Sequence, residues 1–480
     1  MLLEDVFNLI VELERRQIAN HIAWNGVRLW PLIRQCLWFE MLEASPPASI
    51  LSAKLGGRRL ASLLGKMRRY VASHRDFDVP DASNAQLLFF SRPVYLQQLS
   101  NGKLFDRIVD PLIFSQNGVA AWEKLYVSPW PAAQSLHFQA RCLIPSRIMF
   151  HKQFAAEDER IFRHLASEAG LDSSRFVARC ERELNAFLRW YEAGTTLLAQ
   201  RTMLKAIYLT SWYFPDMMGL TAAAREHGIP VIDVQHGKQG RFQGMYSGWG
   251  WIPPTGYELM PDRFWCWGTP SCDHIMESSP ERKMHRPFVG GFPWLDYYRQ
   301  HISTVGQVHA VAKSAIKNIL VTTQPRQSGN TEPLPDFIVD YLRCLPEDVH
   351  FVIRCHPNDV PGEAYCKRRL TGIPEHLYSI DPGKDNLYDR LLQATHHLTA
   401  YSSCCYEAST FGIPTLLYGA DSKALYEEEI LAGEFSWTEG RVADLSAWLD
   451  VSAPAGVTKT PRRNYIESSL ALAGEILSQD

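Results

Sequence analysis

From Asn318 onward the chain alternates between short apolar runs and amphipathic segments, and this rhythm restricts the fold more than any other feature. NILVTTQP, HFVIRCHP, LYSID, HHLTAY and TLLYG read as buried strands, and DFIVDYLRCL, DNLYDRLLQA and SSCCYEASTFG as helices between them. Strands joined through helices lie parallel, because a parallel pair needs a crossover. The expectation is a doubly wound α/β sheet. The same rhythm occurs earlier. KAIYLTSWYFP (Lys205–Pro215) reads as a strand, MGLTAAAREHG as a helix ending at Gly228, and PVIDVQHG as a second buried strand. QLLFFS (Gln86–Ser91) reads as a first strand, whereas residues 100–200 mix strands and helices in an order the pattern does not settle. RFWCW reads as a short strand and RPFVGGFPWLDYY (Arg286–Tyr298) as a connection between two domains.

The start of the chain has a different character. Leu2, Val6, Ile10 and Leu13 recur at helical spacing, and WNGVRLWPLIRQCLWFEML is apolar except where Arg28 and Arg34 interrupt it. KLGGRRLASLLGKMRRY is basic and amphipathic, which suits either a solvated helix face or an anionic membrane surface. The expected organisation is a helical N-terminal extension over 1–80, a Rossmann-like acceptor domain over 81–285, a Rossmann-like nucleotide-donor domain over 286–462, and a C-terminal helix over 463–480 crossing back to the first half.

Composition excludes several classes. Lysine plus arginine number 49 against 52 aspartate plus glutamate, so no basic field recommends a nucleic-acid partner. The ten cysteines form no C-x-x-C pair, and no apolar run approaches the ~20 residues that span a bilayer. The N-terminal sequence lacks the basic and apolar regions of a signal peptide, so a reducing cytoplasm is the simplest expectation, with peripheral contact at the inner face of a membrane left open.

Three stretches fall at strand C-termini, where open α/β sheets bind ligands. They are Gln235-His236-Gly237, Arg354-Cys355-His356-Pro357, and Ser402-Ser403 with Glu407 one turn later. The serines open a helix whose free N–H groups favour phosphate, although Ser403 alone would serve as an N-cap. His356 suits a hydrogen bond or positive charge to a leaving phosphate, or a structural place at a strand end. Glu407 suits ribose hydroxyls or a capping box. His236 suits a general base for an acceptor hydroxyl, or a structural or purely phosphate-contacting place, with Asp233 the weaker candidate for the base three residues earlier. Gln324 and Gly291 are further donor-side candidates, equally explained as turn residues. Gln235, Tyr246 and Trp249 are candidates for the acceptor, the last two within an aromatic loop running from Phe242 to Trp267. The D-x-D of Asp76–Asp78 lies in a proline-bearing linker and is set aside, and no metal or other cofactor is expected.

At these residues the sequence resembles bacterial GT-B glycosyltransferases that use CMP-activated sugars, the sialyltransferase and Kdo transferase families. His356-Pro357 and Ser402-Ser403 resemble their His-Pro and Ser-Ser motifs, which bind the donor phosphate. YEASTFGIPTLLYG is similar to the wider GT-B donor pattern, and VGGFPWLD resembles an interdomain segment of capsule and teichoic-acid enzymes. Gln235-His236-Gly237 departs from the acidic base motif of the sialyltransferases. It looks more like the histidine-glycine motif of the CDP-glycerol polymerases, where the histidine is the base. The resemblance covers about Lys205–Gly419. It implies a metal-independent transferase with a nucleotide-sugar donor, CMP-linked, and a saccharide or lipid-linked acceptor in capsule or lipopolysaccharide synthesis. A polyol-phosphate transferase, an epimerase of the same architecture and a non-catalytic glycan-assembly scaffold remain open.

Overall fold

The computed structural model describes residues 3–17, 21–44, 78–99, 101–116, 118–128, 135–145, 153–301, 316–324, 332–356, 362–383, 386–451, 465–467 and 469–479. The basic stretch at 54–69, Asp76 and Pro357 lie outside these.

Two parallel sheets organise the chain. The first runs Arg286–Val289, Arg263–Cys266, Val231–Val234, Ala206–Leu209, Leu87–Ser91, Trp122–Tyr126, Arg141–Cys142 from edge to edge. The second runs Tyr378–Asp381, Val349–Arg354, Lys317–Thr322, His396–Thr399, Thr415–Tyr418, Ser436–Thr438. Every pairing within them is parallel. In both, the chain enters near the middle, builds outward to one edge, then returns and builds to the other. That is the Rossmann order. Each sheet therefore has one point where the winding direction reverses. In the first it lies between Leu87–Ser91 and Ala206–Leu209, and in the second between Lys317–Thr322 and His396–Thr399. The crevices at these two points open onto one cleft, which makes the architecture GT-B.

Three details differ from the reading of the sequence alone. Lys205–Pro215 is a strand only over Ala206–Leu209, because Ser211 adopts a left-handed backbone (φ 57°) and Pro215 begins the next helix, Pro215–Glu226. Arg286–Val289 is not a connection: it pairs with Arg263–Cys266 as the edge strand of the first sheet, and the chain leaves that sheet only afterwards. The N-terminal helices Leu3–Arg15 and Trp30–Ala44 are not an appendage. Their apolar faces (Val6, Ile10, Leu13, Leu32, Ile33, Leu37) join the first domain's core with Phe242, Met245 and Trp249. Arg34 does not interrupt this packing. It is buried, pairs with buried Glu14 at 3.0 Å, and donates to the Gly244, Ser247 and Gly248 carbonyls. Glu14 also accepts from the Trp30 indole at 2.5 Å. Residues more than two hundred positions apart thus fasten the loop that follows His236.

The domains are joined beside the cleft as well as by the chain. The C-terminal helix Leu470–Gln479 places Leu470, Ala473 and Leu477 in a core with Leu112 and Ile113 of the first domain. Lys238, two residues past His236, reaches Glu429 at 3.2 Å and lies over the Tyr426 ring.

Candidate functional site

The cleft has a volume of about 1060 Å³. Its first-domain wall is made by Arg92, Tyr95 and Arg107 after early strands, with Ser211, Tyr213 and His236 after later ones. Its second-domain wall is made by Thr322, Thr323, Arg354, His356, Ser402, Ser403, Cys404 and Glu407. Both reversal points contribute, as doubly wound topology requires.

His236 is set by the strand Val231–Val234, which ends two residues earlier. Its Nε2 is 3.2 Å from Ser211 Oγ, which is in turn 2.8 Å from the Tyr95 hydroxyl. Burial, then the charges of Arg92 and Arg107, push the imidazole pKa down to about 4. Near neutral pH the ring is therefore uncharged. Asp233 points into the core, where it accepts from Trp212 N at 3.1 Å and burial raises its pKa.

On the opposite wall, Ser402 Oγ accepts from Cys404 N at 3.3 Å, whereas Ser403 sits at the N-cap without using its hydroxyl for capping. The Ser403 side chain lines the cleft and makes no capping bond. His356 is half-buried, and its backbone N–H donates to Thr323 Oγ1 at 3.1 Å. Arg354 is tied to Asp381 at 2.6 Å. Glu407 is buried, accepts from the Tyr388 hydroxyl at 3.0 Å, and has its pKa raised by burial against the pull of Arg107.

Five expected residues are accounted for otherwise. Gln235 is 2 % exposed and spends its amide as a bolt, donating to the Gly237 carbonyl at 2.8 Å and accepting from Trp267 N at 2.6 Å. Tyr246 and Trp249 are each 1 % exposed. Trp249 lies beneath the Arg34 guanidinium, 4.3 Å from its ring centre. These rings pack the core and cannot stack a saccharide, because the N-terminal helices cover their loop. Gly291 lies at the interdomain crossing with φ 78°, where a Cβ would come within 2.6 Å of the Glu467 carbonyl oxygen, so the position needs glycine for packing. Gln324 is buried and does not line the cleft, whereas Thr322 and Thr323 before it do. Reasoning from strand ends missed Arg92 and Ser211, although SRPVY and TSWYFP follow strands just as QHG does. Arg107 follows a short antiparallel strand, Leu104–Asp106, and carried no such signal.

Among the described residues, no group of three or more His, Cys, Asp or Glu side chains is placed to hold a metal ion, and no helix is long and apolar enough to cross a membrane.

No protein-family model matches the chain, and no curated protein matches it in sequence. Solved structures resemble it in fold. The UDP-GlcNAc 2-epimerase of Neisseria meningitidis bound to UDP-GlcNAc is 13% identical, with 82% of this chain and 98% of that chain covered and a TM-score of 0.47. The UDP-N-acetylglucosamine 2-epimerase of Rickettsia bellii is 11% identical over 82% and 95% of the two chains, with a TM-score of 0.49. A spinosyn rhamnosyltransferase complexed with thymidine diphosphate is 13% identical over 82% and 95%, with a TM-score of 0.42.

Proposed function

We propose that the protein is a glycosyltransferase that moves a sugar from a nucleotide-activated donor, CMP-linked, to a saccharide or lipid-linked acceptor of a surface glycan. The observation that carries this reading is the confrontation of His236 with His356, Ser402 and Ser403 across one cleft between two Rossmann-like sheets. The choice of CMP is supported by the resemblance of His356 and the serine pair to CMP-sugar transferase motifs.

In this mechanism the donor phosphate lies against the second-domain wall. The Ser403 hydroxyl and the His356 imidazole donate to it and stabilise the charge that grows as the nucleotide leaves, a preorganised electrostatic effect. The acceptor hydroxyl lies against the first-domain wall and gives its proton to the Ser211 hydroxyl, which passes its own to His236 Nε2, as the acceptor oxygen attacks the anomeric carbon. Ser211, held by Tyr95, fixes the imidazole for that transfer. Glu407, buried on the second-domain wall, is assigned to the nucleoside rather than to the reacting bond.

A thermal-shift panel of CMP, CDP, UDP and GDP tests donor binding, and nucleotide release from CMP-sugars and CDP-glycerol, with and without acceptor, tests the reaction. His236→Ala is expected to lower turnover about 10²–10⁴-fold with nucleotide stabilisation retained. His356→Ala is expected to lower both. Stabilisation by no nucleotide, or a His356→Ala protein with ordinary donor affinity and rate, refutes the assignment.

A further inference from the structure

Two arginines stand on the first-domain wall beside His236, and the mechanism above uses neither. Arg107 is presented by a built turn: buried Asp106 accepts from Ile108 N at 3.0 Å and Val109 N at 3.3 Å, and Arg107 N donates to the Tyr95 carbonyl at 3.2 Å. Its guanidinium is half-buried in the cleft and makes no hydrogen bond or ion pair with a described side chain. Arg92 lies over the Phe214 ring, 4.7 Å from its centre, and pairs with Asp216 at 2.5 Å, while its buried Nε finds no partner among the described residues.

Cations beside a general base work against it, since they disfavour the imidazolium that forms when the base takes a proton. The arrangement serves the reaction only when substrate brings negative charge to the same place. Asp216 offsets Arg92 in part, Arg107 has no such partner among the described residues, and the opposing wall offers little more. Glu407 is held by Tyr388, and burial raises its pKa.

We infer that Arg92 and Arg107 form a subsite for an anionic group, carboxylate or phosphate, on the acceptor, so that the acceptor is an acidic sugar or a sugar or polyol phosphate. This rests on the assignment of His236 as the base at the acceptor wall. The anion has two effects. It is gripped by guanidinium groups suited to planar or tetrahedral oxyanions. It also cancels the field that weakens His236, so the base becomes competent when the correct acceptor is seated.

The test uses the full chain and matched probes: glucuronate against glucose, glycerol 3-phosphate against glycerol, and CMP. Binding is read by the proton and carbon resonances of the His236 ring. At least one charged probe should bind tenfold or more tightly than its neutral counterpart and raise the His236 titration midpoint by about one pH unit. Which one does so separates carboxylate from phosphate. Arg107→Gln should abolish the preference and Arg107→Lys should keep part of it, with stabilisation by CMP unchanged in both. Charged and neutral probes that bind alike overturn the inference, as does a preference that survives Arg107→Gln. It is equally overturned if CMP alone raises the midpoint through Arg107, which would assign the arginine to the donor. Failure of every nucleotide to stabilise the wild type would refute the transferase reading instead, leaving the anion preference to be judged on its own probes.

Discussion

The protonation state of His236 can be measured without knowing any substrate. An ordinary histidine titrates near pH 6.5. Here the ring is enclosed by the cleft floor with Arg92 and Arg107 nearby, and its pKa is pushed down to about 4. The gap corresponds to about 3 kcal/mol against the imidazolium. At pH 5.5 an ordinary histidine is about nine-tenths protonated, whereas His236 is about 3 % protonated, from the same relation. The assay is a titration of histidine ring resonances in the free protein, with the His236 signal assigned through His236→Gln. Arg92→Gln should move the midpoint upward, and by more than Arg107→Gln does, since Arg92 is the stronger of the two charges acting on the ring. A midpoint at or above pH 6 in the free wild type, or one that stays put in Arg92→Gln, would refute the electrostatic account of the cleft.

Other predictions follow from particular contacts. Ser211→Gly and Ser211→Ala both delete the hydroxyl between Tyr95 and His236, so both should lower turnover alike. Only alanine keeps the strain of φ 57°, and the glycine variant should be more stable by about 1 kcal/mol in urea denaturation. Equal stability of the two would remove strain from the argument. Glu14→Leu leaves Arg34 charged and unpaired in the core and should cost about 3–5 kcal/mol, with much of the loss recovered in Glu14→Leu/Arg34→Met. Buried His397, held between Thr322 and Thr415 hydroxyls, has its pKa pushed down to about 3. Its contribution to stability is complete above pH 6.5 and shrinks as pH falls towards 3, because the unfolded chain takes up a proton that the folded chain refuses. Between pH 7 and pH 5 the loss is about 2 kcal/mol, so His397→Asn should flatten the pH dependence of the urea midpoint by that amount. A His397→Asn protein with the wild-type slope would show that the ring is protonated in place.

The legibility of the site divides along a physical line. The alternation of strands and helices is a local property of hydrophobic spacing, and parallel winding follows from the crossover helices. Strand C-termini are therefore visible in sequence, and that rule leads to His236, His356, Ser402 and Ser403, all of which line the cleft. The rule says where a backbone ends, but not whether the side chains beyond it are covered. Trp249 and Tyr246 had the composition of a stacking platform, and their burial was decided by helices from the start of the chain, a contact of high sequence separation with no local signature. Gln235 sits beside the base in sequence but is consumed in holding Trp267, because alternate residues leave a strand end in opposite directions. The left-handed turn at Ser211 and the convergence of Arg92 and Arg107 on His236 exist only once seven strands have taken their order. The sequence by itself determined the doubly wound second sheet, a parallel unit of the first, and the strand ends that bear their chemistry. Tertiary structure alone decided which of those groups face one another, since that depends on how the sheets pack and on what the distant N-terminal helices bury.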